Sequence, residues 1–238
     1  MSSVGLFKER LAAIEERIRA ACRRSGRVRD EVRLMAVSKA HPSSAILEAI
    51  EAGLTLFGEN RVQEFDRKRS ELADQSEIEV HLIGHLQSNK AAKAAEIFSA
   101  VDTVDSLRLA ERLNDAAARI GYNLPVLLEI KLSDEAAKTG LDPAGHELKE
   151  LLERLPDLRS LEVHGLMTVP PFDDNREIAR KCFRQLRELR DEYARRHPKL
   201  NLAELSMGMS GDFEIAIEEG STLVRIGTGL FGKRNIQA

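Results

Sequence analysis

The sequence predicts an α/β fold: a single (β/α)8 barrel of the TIM type, preceded by one extra helix. Three observations predict it. Eight short β-branched or apolar runs alternate with helical stretches along the chain. The length of 238 residues is close to the roughly 250 that such a barrel occupies. No shift in composition and no Gly/Pro-rich linker divides the chain, so residues 1–238 are expected to form one domain. Two small domains would also fit this length, and an open doubly wound sheet would also alternate strand with helix; the count of eight favours closure.

Taken in order, Leu6, Leu11, Ile14, Ile18 and Cys22 recur at helical spacing and predict an opening helix over residues 4–24 with one buried stripe. VRLMAVS (32–38) reads as the first strand, SSAILEAIEAG (43–53) as a helix closed by Gly53, and LTLFG (54–58) as the second strand. RVQEFDRKRSELAD is the next helix, followed by the strand EVHLIG (79–84) and the helix NKAAKAAEIF. AVDTVD, SLRLAERLNDAAARIG and PVLLEIKL (125–132) continue as strand, helix and strand, and PAGHELKELLERL leads into LEVHGLMTV (161–169). A long helix runs from about Asp174 to Arg196; its basic run RKCFRQLRELRDEYARRH alternates with acids and reads as a solvated face. NLAELSMG (201–208), the helix GDFEIAIEEG and LVRIGT (223–228) complete the series. There is no close sequence repeat and no low-complexity segment.

Composition narrows the function. With 42% hydrophobic and 32% charged residues and a net charge of −3, the chain is globular and offers no general attraction to nucleic acid or acidic membranes. No apolar run approaches the roughly 20 residues needed to span a bilayer, and the amphipathic N-terminus lacks the apolar core of a signal peptide. Cys22 and Cys182 are far apart and show neither Cys-x-x-Cys nor zinc-ligand spacing, so a reduced, cytoplasmic protein is expected.

A barrel places its chemistry just beyond the carboxyl ends of its strands. The unusual residues fall there: Lys39 after the first strand, GENRVQE after the second, IGHLQSNK after the third, Met167 and Thr168 at the end of the sixth, SMGMSGD after the seventh and RIGTG at the end of the eighth. Lys39 taken singly is one more loop lysine among 36 basic residues. Partly desolvated at a strand end, however, its amine becomes a nucleophile. SMGMSGD places Ser206 and Ser210 around a glycine, with Ser210 as N-cap of the following helix. That helix start and the amides of Gly227 and Thr228 form an anion cradle where barrels bind phosphate. The glycines of GTGLFG fit a dinucleotide fingerprint in spacing, but only six residues follow Gly232, too few for the helix, strand and acidic residue it requires. An amine and a distant phosphate cradle suit a phosphorylated aldehyde, and pyridoxal phosphate has that shape.

These segments are also recognisable. AVSK with Lys39, FGENRVQE, HLIGHLQSNK, HGLMTV, LSMGMSGDFEIAI and GSTLVRIGTGLFGKR resemble, in this order, the pyridoxal phosphate homeostasis proteins, whose barrels are similar to the N-terminal domain of alanine racemase. The resemblance runs from about residue 32 to residue 234. It implies pyridoxal 5'-phosphate held as an internal aldimine on Lys39, the Schiff-base lysine. It implies a phosphate end at Ser210, Gly227 and Thr228 with Ser206 nearby, Arg225 facing the pyridine nitrogen, and Asn60 and Met207 lining the cofactor. Ala40-His41 departs mildly from the family, which more commonly has a threonine after the lysine.

A guanidinium at 225 disfavours protonating the ring nitrogen, so the ring is a weak electron sink. Racemases of this type carry a second, β-rich domain with a catalytic tyrosine; this chain stops at Ala238, and its tyrosines, Tyr122 and Tyr193, lie at a helix end and within a helix. No catalytic residue is therefore assigned. His81 and His85 straddle a strand end without the glutamate of a zinc helix or a third ligand, so no metal is expected, and His164 reads as packed or rim-lining. The expected function is intracellular pyridoxal phosphate homeostasis without robust catalysis. A weak amino-acid racemase and a phosphosugar barrel enzyme with Lys39 as an aldolase-type lysine are the rivals. Expected partners are the cofactor, amino acids and pyridoxal-phosphate-dependent apo-enzymes, with no nucleic acid and no membrane, and the protein is expected to be a monomer.

Overall fold

The computed structural model describes residues 2–133, 135, 139–171, 173 and 175–232. Eight parallel strands close in sequence order: β1 (Arg33–Val37), β2 (Leu56–Glu59), β3 (Glu79–Leu82), β4 (Ala100–Val104), β5 (Leu124–Glu129), β6 (Leu161–Met167), β7 (Glu204–Met209) and β8 (Leu223–Ile226). In β1, Ala36 lies opposite Phe57 of β2 on one side and Ile226 of β8 on the other. This double pairing of β1 removes the free sheet edge and separates the barrel from the open-sheet alternative. All eight strand expectations hold as elements; their ends move by a few residues because ladder pairing, not local apolarity, terminates a strand.

The helices are α1 (Ser3–Arg24), α2 (Ser43–Glu51), α3 (Val62–Lys68), α4 (Ala91–Ile97), α5 (Leu107–Arg119), α6 (His146–Arg154), α7 (Arg176–Arg196), α8 (Phe213–Glu218) and α9 (Thr228–Phe231). Asp174, the expected start of the long helix, and Lys233 and Arg234, at the end of the family-like segment, lie outside the described residues. Period-two alternation along the strands builds two cores. Ala36, Phe57, Val224 and Ile226 belong to the large apolar layer that also takes in Ile46, Leu113, Phe183 and Phe213 of the helices. Met35, Leu56 and Leu223 form a small separate cluster with Ile83.

Two expectations are corrected. In α1 the buried stripe includes Phe7 rather than Leu6, which is 42% exposed. Phe7 packs its ring 5.4 Å from that of Phe231, so contact with the chain's last described helix selects which neighbour turns inward. The basic run of α7 is not simply a solvated face. Arg180, Arg184 and Arg187, one stripe at helical spacing, converge on the carboxylate of Glu219 at 3.1, 3.0 and 3.3 Å. Glu219 is 5% exposed, so these pairs tie α7 to the end of α8 in a partly dry contact.

Candidate functional site

The parity that turns Met35 into the barrel continues through Val37 to Lys39, two residues beyond β1, and both Val37 and Lys39 line one cavity at the carboxyl end of the strands. The backbone that carries Lys39 is held firmly. Ala40 has φ 61°, the left-handed region that costs a non-glycine residue about 1–2 kcal/mol. Its amide donates to Glu64 Oε1 at 2.6 Å, and the Ser38 hydroxyl donates to Glu59 Oε1 at 2.7 Å. Lys68 Nζ binds the Ser38 carbonyl, Glu59 Oε1 and Glu64 Oε1 at 3.2, 2.8 and 2.7 Å. Burial pushes the Glu59 carboxyl up from its ordinary value against the pull of Lys68. For Glu64 the same burial is outweighed by Lys68 and the Ala40 amide, which hold it low. An ionic knot, buried at Glu59 and half-buried at Glu64 and Lys68, thus fixes the turn that presents Lys39.

The other wall comes from β7 and β8. Ser206 stands opposite Leu223 and Met209 opposite Arg225, three residues against two, so β7 carries an extra residue here. Gly208 absorbs it at φ 95°, where an added Cβ would lie 2.5 Å from Ala216 Cβ. This bulge reverses the parity beyond it. Met207 remains in the apolar layer with no exposure, and Met209 lines the cavity instead. Met207, expected to line the cofactor, therefore packs in the apolar layer and does not line this cavity. Ser210 does not cap α8: Asp212 occupies that position, its Oδ1 accepting from the Met209 amide at 2.6 Å. The Ser210 hydroxyl instead accepts from Gly229 N at 3.3 Å, which joins the β7 loop to the start of α9.

Arg225 is 4% exposed and enters the barrel from β8. Its Nη1 donates to Ser206 O and Oγ at 2.8 and 2.6 Å, and its Nη2 to Thr168 O at 2.8 Å. Burial draws the guanidinium's pKa down, while Asp102, Asp212 and Glu129 draw it back up. Ser206 therefore serves the site from behind, by orienting Arg225.

The cavity measures about 420 Å³, within the range of small-molecule sites. Of the eight residues singled out from the sequence, Lys39, Asn60, Ser210, Arg225, Gly227 and Thr228 line it; Ser206 and Met207 do not. Val37, His41, Ile83, Val169, Met209 and Gly211 line it as well and were not anticipated. His41 stacks on Phe231, ring centroids 5.0 Å apart. Only inward parity and position at a strand end could have indicated these residues, and the β7 bulge defeats parity for Met209. Asn60 Oδ1 is buried with no hydrogen-bond partner among the described residues.

Next to this cavity, and sharing Val169 with it, a smaller one of about 280 Å³ is lined by His85, Glu129 and Lys131 among others. His85 Nδ1 lies 3.0 Å from Asp105 Oδ2. Glu129 is 8% exposed, and burial followed by the charge of Asp105 raises its carboxyl above the ordinary range. His81 and His164 lie at the other end of the barrel, His81 bonded through Nδ1 to Asp102 Oδ1 at 3.0 Å. Among the described residues no three His, Cys, Asp or Glu side chains form a metal-ligand set. No helix among them is long and apolar enough to cross a membrane.

Comparison with known proteins bears on the family and the fold. The family model described as alanine racemase, N-terminal domain, matches residues 10–235. The pyridoxal phosphate homeostasis protein of Aquifex aeolicus is 44% identical over 226 residues, covering 95% of this chain and 97% of that protein. Its counterpart in Escherichia coli is 43% identical over 228 residues, covering 94% and 95%. Among solved structures, PipY of Synechococcus elongatus with pyridoxal phosphate bound superposes with a TM-score of 0.85 at 42% identity, covering 95% of this chain and all of that one (100%). The alanine racemase of Streptomyces coelicolor, at 21% identity and a TM-score of 0.68, matches 93% of this chain with 58% of its own and shares the fold.

Proposed function

This chain belongs to the pyridoxal phosphate homeostasis protein family, built on the alanine racemase N-terminal domain, and from that premise we propose that it binds pyridoxal phosphate at the carboxyl-end rim and buffers or delivers it without robust turnover. The observation that carries this reading is convergence: an amine, a buried guanidinium and two hydroxyls, from the ends of β1, β7 and β8, line one cavity of about 420 Å³. The donor set fits the group, and Asn60 Oδ1, buried without a partner, is a polar atom for a ligand to satisfy. When bound, pyridoxal phosphate supplies an aldehyde that condenses with primary amines and a ring that withdraws electrons. Lys39 Nζ would be the amine that attaches it. The hydroxyls of Ser210 and Thr228, with the backbone of Gly227, would hold the phosphate. Arg225, oriented by Ser206 and Thr168, would face the pyridine nitrogen and disfavour its protonation, which weakens electron withdrawal.

Neither tyrosine serves this cavity. Tyr122 donates to Ser99 O at 3.2 Å and lines the opposite end of the barrel; Tyr193, in α7, places its hydroxyl 3.4 Å from Pro143 O. One observation favours the second reading, a weak racemase: Glu129, buried with a raised carboxyl pKa, lines the adjoining cavity and is a second acid/base group. The two readings separate in heavy water with L-alanine and the cofactor-loaded protein, followed by NMR. Carriage gives no deuterium at Cα above background. Wash-in at an enzyme-like rate, lost in both Lys39→Ala and Glu129→Gln, establishes the racemase instead.

The direct test of binding is a visible spectrum after mixing with pyridoxal phosphate and removing excess by gel filtration. Stoichiometric retention of a visible band is expected; a colourless protein that takes up none defeats the proposal and favours a phosphosugar ligand. Gly227→Val tests the phosphate end. An added Cβ at Gly227 meets nothing closer than 3.5 Å, at Val37 O, so the fold tolerates a side chain there. A branched one intrudes where backbone must approach the phosphate. Affinity is expected to fall about 100-fold, roughly 2.7 kcal/mol, with unchanged circular dichroism. Unchanged affinity would place the phosphate elsewhere. We also propose that the protein works in the cytoplasm as a monomer, and that amino acids and pyridoxal-phosphate-dependent apo-enzymes receive or exchange its cofactor.

A further inference from the structure

We propose that the opposite, amino-terminal mouth of the barrel is a second binding site, for a small monovalent organic cation of the alkylammonium class. A cavity of about 490 Å³ opens there, lined by residues that begin strands (Arg33, Glu79, Glu204) and by His81 and Asp102 one layer deeper. It shares no lining residue with the cofactor cavity.

The polar atoms of this mouth are not balanced among themselves. Arg33 Nη2 is committed to Glu79 Oε2 at 2.6 Å, and Arg33 Nη1 reaches Glu204 only at 3.7 Å. His81 Nδ1 is committed to Asp102 Oδ1 at 3.0 Å. Asp102 Oδ2, on a residue only 1% exposed, is left with no hydrogen-bond partner among the described residues. A buried carboxylate oxygen without a donor is costly, so it marks a position that a donor should occupy. Glu204 feels the same crowding of charge: burial, then the charge of Asp102, raises its carboxyl from the ordinary range.

Charge decides between classes of donor. Three carboxyl groups (Glu79, Asp102, Glu204) face Arg33 and His81, while His164, which also lines the cavity, lies 3.6 Å from Glu162; Arg33 and Glu79 pair at the open rim, so an excess of about one negative charge falls on the deeper Asp102 and Glu204. An ammonium carries three donors and one positive charge, enough to meet Asp102 Oδ2 and Glu204 together. Water or an alcohol supplies donors without the charge. Beside Ser99 and His164, the wall also carries Ala100, Pro125, Val126, Leu127 and the ring of Tyr122, an apolar stretch that suits a short alkyl chain.

The test uses the full chain without added pyridoxal phosphate, so that no amine is consumed at the other end. Butylammonium is titrated by calorimetry, with 1-butanol as the uncharged equivalent, and the bound probe is located by NMR contacts from its methylenes. Saturable one-to-one binding is expected, with contacts to Tyr122 and Leu127 and an affinity at least about tenfold above that of butanol. Asp102→Asn is expected to remove at least that tenfold. Because this variant could fail to fold, Glu204→Gln is the second: it relieves like-charge repulsion, keeps the fold and still weakens the probe several-fold. The proposal is overturned if butylammonium shows no saturable binding, if butanol binds equally well, if Glu204→Gln leaves affinity unchanged, or if the contacts map to the Lys39 cavity.

Discussion

In Lys39→Ala, borohydride reduction of the protein mixed with pyridoxal phosphate is expected to leave no covalently attached cofactor on any peptide, whereas the unaltered chain is labelled at Lys39 alone. The loss is complete, not graded, because reduction traps only a cofactor bonded to a nitrogen and Lys39 is, among the described residues, the lysine lining the cavity. Stability should change little. Lys39 lies beyond the end of β1, and the knot that holds its turn is made by Ser38, Glu59, Glu64 and Lys68, with the Ala40 backbone amide. Melting temperature is expected to shift by no more than a few degrees. The variant should retain some noncovalent cofactor, because the proposed phosphate contacts and Arg225 remain. Peptide mapping by mass spectrometry decides the matter: label on another lysine in the unaltered protein, or persisting in the variant, overturns the assignment.

The largest effect on stability is expected at His81. The side chain is 7% exposed and bonded to Asp102, itself 1% exposed. Burial alone would lower the pKa of His81, but the charge and hydrogen bond of Asp102, with help from Glu79, raise it to about 9. His81→Ala leaves a buried carboxylate without its cation, a change that costs about 3–5 kcal/mol in comparable sites. The sign with pH follows from the raised value. The unfolded imidazole titrates near 6.5, so the pair's contribution is fully present below that pH and is lost as pH rises through about 9. Urea denaturation of both proteins from pH 6 to pH 9.5 should show the gap closing toward the alkaline end. A gap that is constant over the range would mean that packing, not charge, is what His81 contributes.

Much of the site is legible in the residues alone. Lys39, Ser210, Arg225, Gly227 and Thr228 stand at or just past strand ends, and in a closed barrel strand ends share one rim. Local pattern misleads where a distant neighbour decides. Met207 and Met209 have the same parity along β7, and nothing in SMGMSGD announces that pairing with β8 inserts an extra residue at Gly208. Ser210 has the residue type and place of an N-cap, yet the amide it serves is that of Gly229, from the next βα unit. Leu6 and Phe7 both fit a helical stripe, and Phe231, at the far end of the chain, decides between them. The arginines of α7 alternate with acids like any exposed face until Glu219 is brought beneath them.

By itself, then, the sequence determined the order and type of the elements and the count of eight strands that favours closure, and it named the amine and arginine of the candidate site. Those properties follow from hydrophobic period, turn residues and motif order, all of which are local or sequential. Only the tertiary structure decided which side chains face the cavity, what holds Lys39 and Arg225 in place, and that His81 and Asp102 form a buried ion pair at the far mouth. Side-chain direction depends on register between strands, and the charge state of a buried group depends on neighbours distant in sequence. Neither quantity exists until the barrel closes.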